Sequence, residues 1–513
     1  MNNANIVTQL ISYWREPDHL SPERHSLCRQ VSKRVLQKFS NDQAAKVIAQ
    51  PEEHQAELED AIQTLVQQDP ISRELIRHLS SQPARHQRPS SRPETVINIS
   101  VSQPPAFQAK SEDTTYWLRL QLSEMSEGKF NVRVLPNPWA GEPNATSHLP
   151  FPQEQLAAIL KALEFAQAPQ YIPAKHWELL NSMGFAVNDC LIIDFAEQVG
   201  RHLYLCLFPD KVASAVETIG QRARQERKPF VLQLCFDETA TNLAYYPWEL
   251  IHNEYQPLLS GMAYELVRDI TYPQARTNLK TKPPWRLLYT APRPQNETPL
   301  PSNDERVAVE NGLQSLQADG VLAIDYLESP TYDHLLEQLT IHEYHILHFD
   351  GHGGFVRRCP GCQKLYEPHA AVCRNCHISL LNISPKGYLA FEDSNGQVDW
   401  VETEAVGQLL SGNNLGLVFL SACQSAIVEG PSLFGGLGPG LIRAGIPAVV
   451  GMQFSVPVPS AIQFAKSFYL ELSQTGQLSR ALARGRQALY RAKQWFIPVL
   501  YLRNAENSDR FIA

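Results

Sequence analysis

From Arg286 onward, short continuous apolar runs alternate with amphipathic stretches, and this rhythm narrows the possible folds more than any other feature of the chain. RLLYTA (Arg286 to Ala291) precedes the helical pattern ERVAVENGLQSL, and VLAIDYL precedes YDHLLEQL. Then come YHILHF, LGLVFL, a glycine-rich helix through Leu441 and Ile442, and PAVVGM. A strand that is apolar on both faces must lie in a sheet covered on both sides. Helices between such strands supply the crossovers that parallel pairing requires. The rhythm therefore predicts an α/β sandwich with a mostly parallel sheet.

The rest of the chain reads differently. At 513 residues it exceeds a single core of roughly 100–200 residues. Up to about Leu79 it reads as helices: Leu58, Ile62, Leu65 and Val66 recur at helical spacing, and Leu75, Ile76 and Leu79 repeat the pattern after Asp69-Pro70. SSQPARHQRPSSRPE, Ser80 to Glu94, has the composition of an exposed linker. TVINISVSQ and YWLRLQLSE alternate like half-buried strands. HLYLCLFP (His202 to Pro209) and PFVLQLCFD (Pro229 to Asp237) read as further strands, separated by a helical stretch around Val212 to Arg227. In LAYYPWELI, Pro247 marks a helix start. TNLKTKPPW reads as a second, shorter linker.

The net charge of -8 and pI of about 6.1 argue against nucleic acid as a partner. No stretch approaches the ~18–20 apolar residues of a membrane helix. The start, MNNANIVTQLISYWREPDH, lacks the basic and apolar regions of a signal peptide. The expected location is cytoplasmic, with no membrane partner.

Two apolar runs end at a reactive side chain. HILHF stops at Asp350-Gly351-His352-Gly353, and LGLVFL stops at Ser421-Ala422-Cys423. Functional groups of open α/β sheets gather beyond the carboxyl ends of the strands. If the two strands are neighbours, His352 and Cys423 leave the same edge. A thiol beside an imidazole is the minimal activated nucleophile, and backbone N–H groups near Gly353 and Cys423 could hold an oxyanion. The glycines beside His352 are expected to let the backbone turn and to leave room for a substrate chain. The bland alternatives are a small buried cysteine and a plain glycine-rich turn.

Nine cysteines are spread unevenly, four of them in RRCPGCQKLYEPHAAVCRNCHIS. Cys359, Cys362, Cys373 and Cys376 form C-x2-C, ten residues, then C-x2-C, the spacing of two knuckles closing one tetrahedral, structural zinc site per chain. His369 and His377 are spare imidazoles, outside the ligand set or exposed.

HILHFDGHG and LVFLSACQSA resemble the histidine and cysteine motifs of the CHAT domain, a caspase-like cysteine peptidase of the clan that also holds separases and gingipains. LAYYPWELI resembles the upstream PWEL segment of that family, and FYLEL (Phe468 to Leu472) and RALARGRQAL (Arg480 to Leu489) resemble its closing helices. The resemblance spans roughly Tyr204 to Leu502. It implies His352 as general base and Cys423 as nucleophile, acting on a protein substrate. Relatives that cleave after Arg or Lys often carry an acid two places before the cysteine; here that place is Ser421. Gln453 and Ser455 are expected to line the same neutral pocket, and Asp350 is read as a solvated strand-end carboxylate rather than a P1 ligand. Removing about Val356 to Lys386 would restore a simpler CHAT spelling, so the ribbon reads as an insertion near the cleft mouth.

The expected organisation is a helical adaptor-like domain (1–80), a linker (81–115), a β-rich α/β part of the CHAT unit (116–282) and a caspase-like peptidase core (283–513) with a zinc ribbon at 357–386. The fold expected is a caspase-like three-layer sandwich. The N-terminal helices weakly resemble adaptor domains of prokaryotic conflict proteins, which implies an activating partner and a defence or cell-death setting. The rival reading is a non-catalytic interaction scaffold with a ribbon docking module.

Overall fold

The computed structural model describes Val7, Leu10, Ile11, Val31, Val35, Lys46, Val47 and residues 54–68. It then describes residues 115–513 except 238–239, 271–282, 298–303, 368–369, 414, 422–433, 504–508 and 512–513. The chain divides into two compact units, Met1–Ser102 and Gln103–Ala513. In the first, α1 (Gln55–Gln68) buries Leu58, Ala61 and Ile62 along one face, the i, i+3, i+4 stripe of an amphipathic helix. The expected strand TVINISVSQ, the helical pattern at Leu75 to Leu79 and both linkers lie outside the described residues, apart from the last three residues of the second linker.

The second unit is built on one eleven-stranded sheet. Its strands are β1 (Tyr116–Glu124), β2 (Lys129–Val134), β3 (Asn144–His148), β4 (Phe230–Phe236), β5 (Tyr264–Ile270), β6 (Trp285–Thr290), β7 (Leu322–Tyr326), β8 (Ile346–Phe349), β13 (Leu417–Leu420), β14 (Ala448–Met452) and β15 (Pro498–Leu502). A second sheet holds β9 (Gly353–Arg358), β10 (Leu365–Tyr366), β11 (Lys386–Glu392) and β12 (Val398–Glu402). The large sheet runs β3-β2-β1-β4-β5-β15-β14-β13-β8-β6-β7. Seven of its ten neighbouring pairs are parallel, so the sheet is mostly parallel as the apolar runs required. Two parallel blocks of opposite direction, β1-β4-β5-β15 and β14-β13-β8-β6-β7, join where β14 pairs antiparallel with β15, and β2 and β3 extend the β1 edge as antiparallel strands. β4 and β8 are buried along their whole length.

Helices α2 (Gln153–Glu164), α3 (Phe195–Leu207), α4 (Asp210–Glu226), α5 (Asp304–Ala318), α6 (Tyr332–Ile341), α7 (Phe434–Ala444), α8 (Val458–Thr475) and α9 (Leu478–Leu489) cover the strands. His202 to Pro209, expected as a strand, belongs mostly to α3. Leu203, Leu205 and Leu207 mimic period two, yet Phe195, Val199, Leu203 and Leu207 form the buried i, i+4 stripe and Leu205 is exposed. Pro247 precedes only a single 3-10 turn, Trp248–Leu250. The closing helices pack tightly: a Cβ on Gly485 of α9 would lie 2.4 Å from the Phe464 ring of α8.

Under this packing lies a buried charge network. Arg268 on β5 pairs with Glu249 of the PWEL segment, and Arg486 on α9 pairs with Glu265. All four are nearly inaccessible. Burial outweighs Arg486 and raises the Glu265 carboxyl to about 7.

Candidate active site and metal centre

β8 and β13 are parallel neighbours, with His348 opposite Phe419 and Phe349 opposite Leu420. The first residue beyond β13, Ser421, donates its N–H to the Phe349 carbonyl at 2.8 Å. Asp350, the first beyond β8, donates its N–H to Thr290 of β6 at 2.9 Å. Ser421 and Asp350 therefore leave the sheet side by side, and His352 follows two residues later. Cys423 lies outside the described residues.

His352 is buried, and its carbonyl accepts from Ala390 of β11 at 3.0 Å. The neighbouring glycines do not serve a left-handed turn, because neither Gly351 nor Gly353 has a positive φ. They admit close packing instead. A Cβ on Gly351 would lie 2.8 Å from the Phe349 ring, and one on Gly353 would lie 2.6 Å from Leu437 of α7.

Asp350 is not solvated, contrary to the sequence reading: it is only 3% exposed. Its carboxylate accepts from Tyr289 at 2.8 Å and from Arg293 at 2.7 Å. Arg293 also donates to the Asp350 carbonyl at 2.7 Å, and its own N–H donates to Glu392 at 2.7 Å. A carboxylate at a covered strand end needs such partners, since leaving water unpaired costs several kcal/mol. Nothing in the local spelling announces Tyr289 or Arg293 as these partners.

Gln453 and Ser455 follow β14, one strand beyond β13. Gln453 is buried and donates to Glu249 at 3.0 Å. Ser455 donates its N–H at 3.0 Å and its hydroxyl to Glu164 at the end of α2. Burial raises the pKa of Glu164 against these hydrogen bonds. His348 faces away from any chemistry: it stacks on Phe419, meets the Tyr469 hydroxyl at 3.2 Å, and is driven to about 3 by burial.

The four crowded cysteines converge, with their Sγ atoms within 4.8 Å of one another. Cys359 and Cys376 approach to 3.3 Å, Cys373 and Cys376 to 3.3 Å, and Cys362 and Cys373 to 3.5 Å. A tetrahedral zinc with Zn–S of ~2.3 Å sets sulfurs about 3.8 Å apart, so the donor set fits with slight expansion. The two knuckles are built alike. The N–H of Gln363 returns to the Cys359 carbonyl at 2.9 Å, and that of His377 returns to the Cys373 carbonyl at 2.9 Å. Both residues are left-handed, φ 60° and 58°. His377 is thus an exposed turn residue; His369 lies outside the described residues. Burial opposes ionisation of Cys373, but the Tyr366 hydroxyl and the amides of Cys376 and Asn375 bring its thiol down to about 5. Hydrogen bonds with Cys359 and Cys373 push Cys376 up to about 12. A divalent cation removes that conflict by holding all four as thiolates. The ribbon sits at the tip of a hairpin: β9 pairs antiparallel with β11, Val356 opposite Lys386. Removing the ribbon would leave that hairpin intact.

Among the described residues, no helix is long and apolar enough to cross a membrane. No curated protein matches the chain. Among solved structures, it is similar to the Arg specific cysteine proteinase gingipain R at 11% identity and TM-score 0.34, over 58% of this chain and 69% of that one. The complex of Porphyromonas gingivalis RgpB pro- and mature domains gives 11% and 0.33, over 59% and 71%. The Saccharomyces cerevisiae separase-securin complex gives 12% and 0.38, over 76% of this chain and 30% of that one. The CHAT domain model matches residues 197–507, a span that holds the PWEL segment, both strand-end motifs and the ribbon. With well over half its length matched, this chain belongs to the CHAT domain family.

Proposed function

We propose that this protein is a cysteine endopeptidase in which His352 is the general base and Cys423 the nucleophile. The observation that carries the reading is the parallel pairing of β8 with β13, which brings Asp350 and Ser421 out side by side. Only two peptide units, each at most ~3.8 Å between Cα atoms, separate Cys423 from Ser421. The chemistry follows from the residue types. The Cys423 thiolate adds to the substrate carbonyl carbon, forming a C–S bond and an oxyanion. The C–N bond then breaks, and the leaving amine takes its proton from the His352 imidazolium. His352 next accepts a proton from water, whose oxygen displaces the thiolate and releases the carboxylic acid product. The four-cysteine ribbon holds zinc; a closed thiolate shell leaves no position for substrate, so its role is structural.

The substrate is a protein. Family resemblance supports partner-triggered cleavage of one dedicated intracellular target in a prokaryotic defence or cell-death pathway, with the N-terminal helices receiving the trigger. Digestion of a proteome-derived peptide library tests the core reading. New N-termini are expected with the intact protein and none with Cys423→Ala. Equal cleavage by both proteins would refute it.

A further inference from the structure

The helical layers do not cover β1 equally. β4 is buried on both faces, whereas β1 buries Tyr116, Leu118, Leu120 and Leu122 and leaves Trp117 and Arg119 only half-buried on the other face. α4 packs against β1, β2 and β3, while α9 packs against β5 and β15. A cleft of about 400 Å³ results, lined among others by Trp117, Arg119, Asn137, Trp139, Gln477 and Arg510.

The walls of this cleft are set by the protein itself. Asn137 donates to the Trp117 carbonyl at 3.0 Å and accepts from the N–H groups of Trp139 at 3.0 Å and Ala140 at 3.1 Å. The Trp139 ring meets Tyr116 edge-on at 5.2 Å and lies under the Arg222 guanidinium at 5.0 Å. Gln477 donates to the Thr115 hydroxyl at 3.3 Å. Asp509, the acid at this cleft, accepts both the N–H and the hydroxyl of Ser479 at 2.7 and 2.9 Å. The guanidinium groups of Arg119 and Arg510 make no ion pair among the described residues. In a protein of net charge -8, Arg119 and Arg510 have a ligand-sized gap beside them. The carboxylate that lines the cleft, Asp509, is held by Ser479 and acts on Arg510 without forming an ion pair with it, which leaves Arg119 as the less compensated cation.

We propose that this cleft binds a mononucleotide, with the base against Trp117 and Trp139 and the phosphates on Arg119 and Arg510. Indole faces favour a flat aromatic ring, and guanidinium forks favour phosphate oxygens. The volume falls within the usual range for small-ligand pockets, about 300–1,000 Å³. The cleft is separate from His352. β1 stands five strands from β13 in the sheet, roughly 24 Å at ~4.8 Å per step.

The test is calorimetric titration of the full-length protein with ATP, GTP, CTP and UTP, and with adenosine and pyrophosphate as half-ligands. At least one nucleotide is expected to bind with Kd below about 1 mM. Arg119→Ala and Arg510→Ala should each weaken that binding by about tenfold or more, and each half-ligand should bind more weakly than the whole. Arg510 is an exposed residue, so its variant should keep the wild-type melting temperature and remains informative if Arg119→Ala misfolds. The proposal fails if no nucleotide binds. It fails equally if pyrophosphate alone binds as tightly, which would mean an anion site only, or if Arg510→Ala binds like wild type.

Discussion

Arg293 grips Asp350 twice, donating to its carboxylate at 2.7 Å and to its backbone carbonyl at 2.7 Å. The pair fixes the turn that carries His352. Breaking it would leave a carboxylate only 3% exposed with Tyr289 as its remaining partner.

Arg293→Ala is therefore expected to lower stability by about 2 kcal/mol, less than a fully buried pair because the arginine is partly exposed. Arg293→Lys keeps the charge but loses the fork, and should fall between. Urea unfolding checks the order; an alanine variant as stable as wild type would show that the pair does not support this turn.

Substrate choice follows from the same contact. Asp350 is neutralised by Arg293, and Glu164 is held by Ser455 with its pKa raised by burial. With Ser421 two places before the nucleophile, no free carboxylate is at hand among the described residues for a basic P1 side chain. An uncharged P1 residue is expected. The check is kcat/KM over peptides varied only at P1. A preference for Arg or Lys above about tenfold, ~1.4 kcal/mol, would contradict it, and Glu164→Gln and Asp350→Asn would then identify the carboxylate responsible.

Metal analysis of protein purified without chelator should find about one zinc per chain. Cys359→Ser should lose it and lose hydrogen-exchange protection between Arg357 and Lys386, since a ribbon this small has little core beyond Cys359, Cys373 and Leu380. Protection that survives zinc removal would show the ribbon to be self-supporting.

Glu265 and His348 pull the pH profile in opposite directions. The folded Glu265 pKa, about 7, lies above the ordinary carboxyl value of 4.5 because burial disfavours its charge. Its contribution is full below ~4.5 and is lost as pH rises to about 7, roughly 3 kcal/mol in all. The folded His348 pKa, about 3, lies below 6.5, so its contribution grows as pH rises from about 3 to 6.5. Glu265→Gln should thus steepen the rise of stability with pH between about 4.5 and 7. Denaturant midpoints across that window measure it, and an unchanged slope would mean that Glu265 ionises normally in the fold.

Much of this architecture was legible because burial on both faces leaves a plain record. LVFL and ILHF read as covered strands and are buried at every position in the fold, and the knuckle spacing pointed to the one cluster in which Cys359, Cys362, Cys373 and Cys376 converge. What escaped the reading was set by long-range pairing. The two strand blocks reverse at β14 and β15, and no local residue encodes that junction. Arg293 stands 57 residues from Asp350, and Arg486 stands 221 from Glu265. The strand spelled by Leu203, Leu205 and Leu207 failed because three alternating leucines also fit a helix once Phe195 and Val199 join the stripe.

The central claim, that Cys423 is a nucleophile activated by His352, is tested most directly by a peptidyl electrophile. Full-length protein is treated with a peptidyl acyloxymethyl ketone, and the adduct is mapped by mass spectrometry. The account predicts one adduct, on Cys423, forming about 100-fold or more slowly in His352→Ala. Labelling of exposed Cys190 in its place, or equal rates with and without His352, would contradict it.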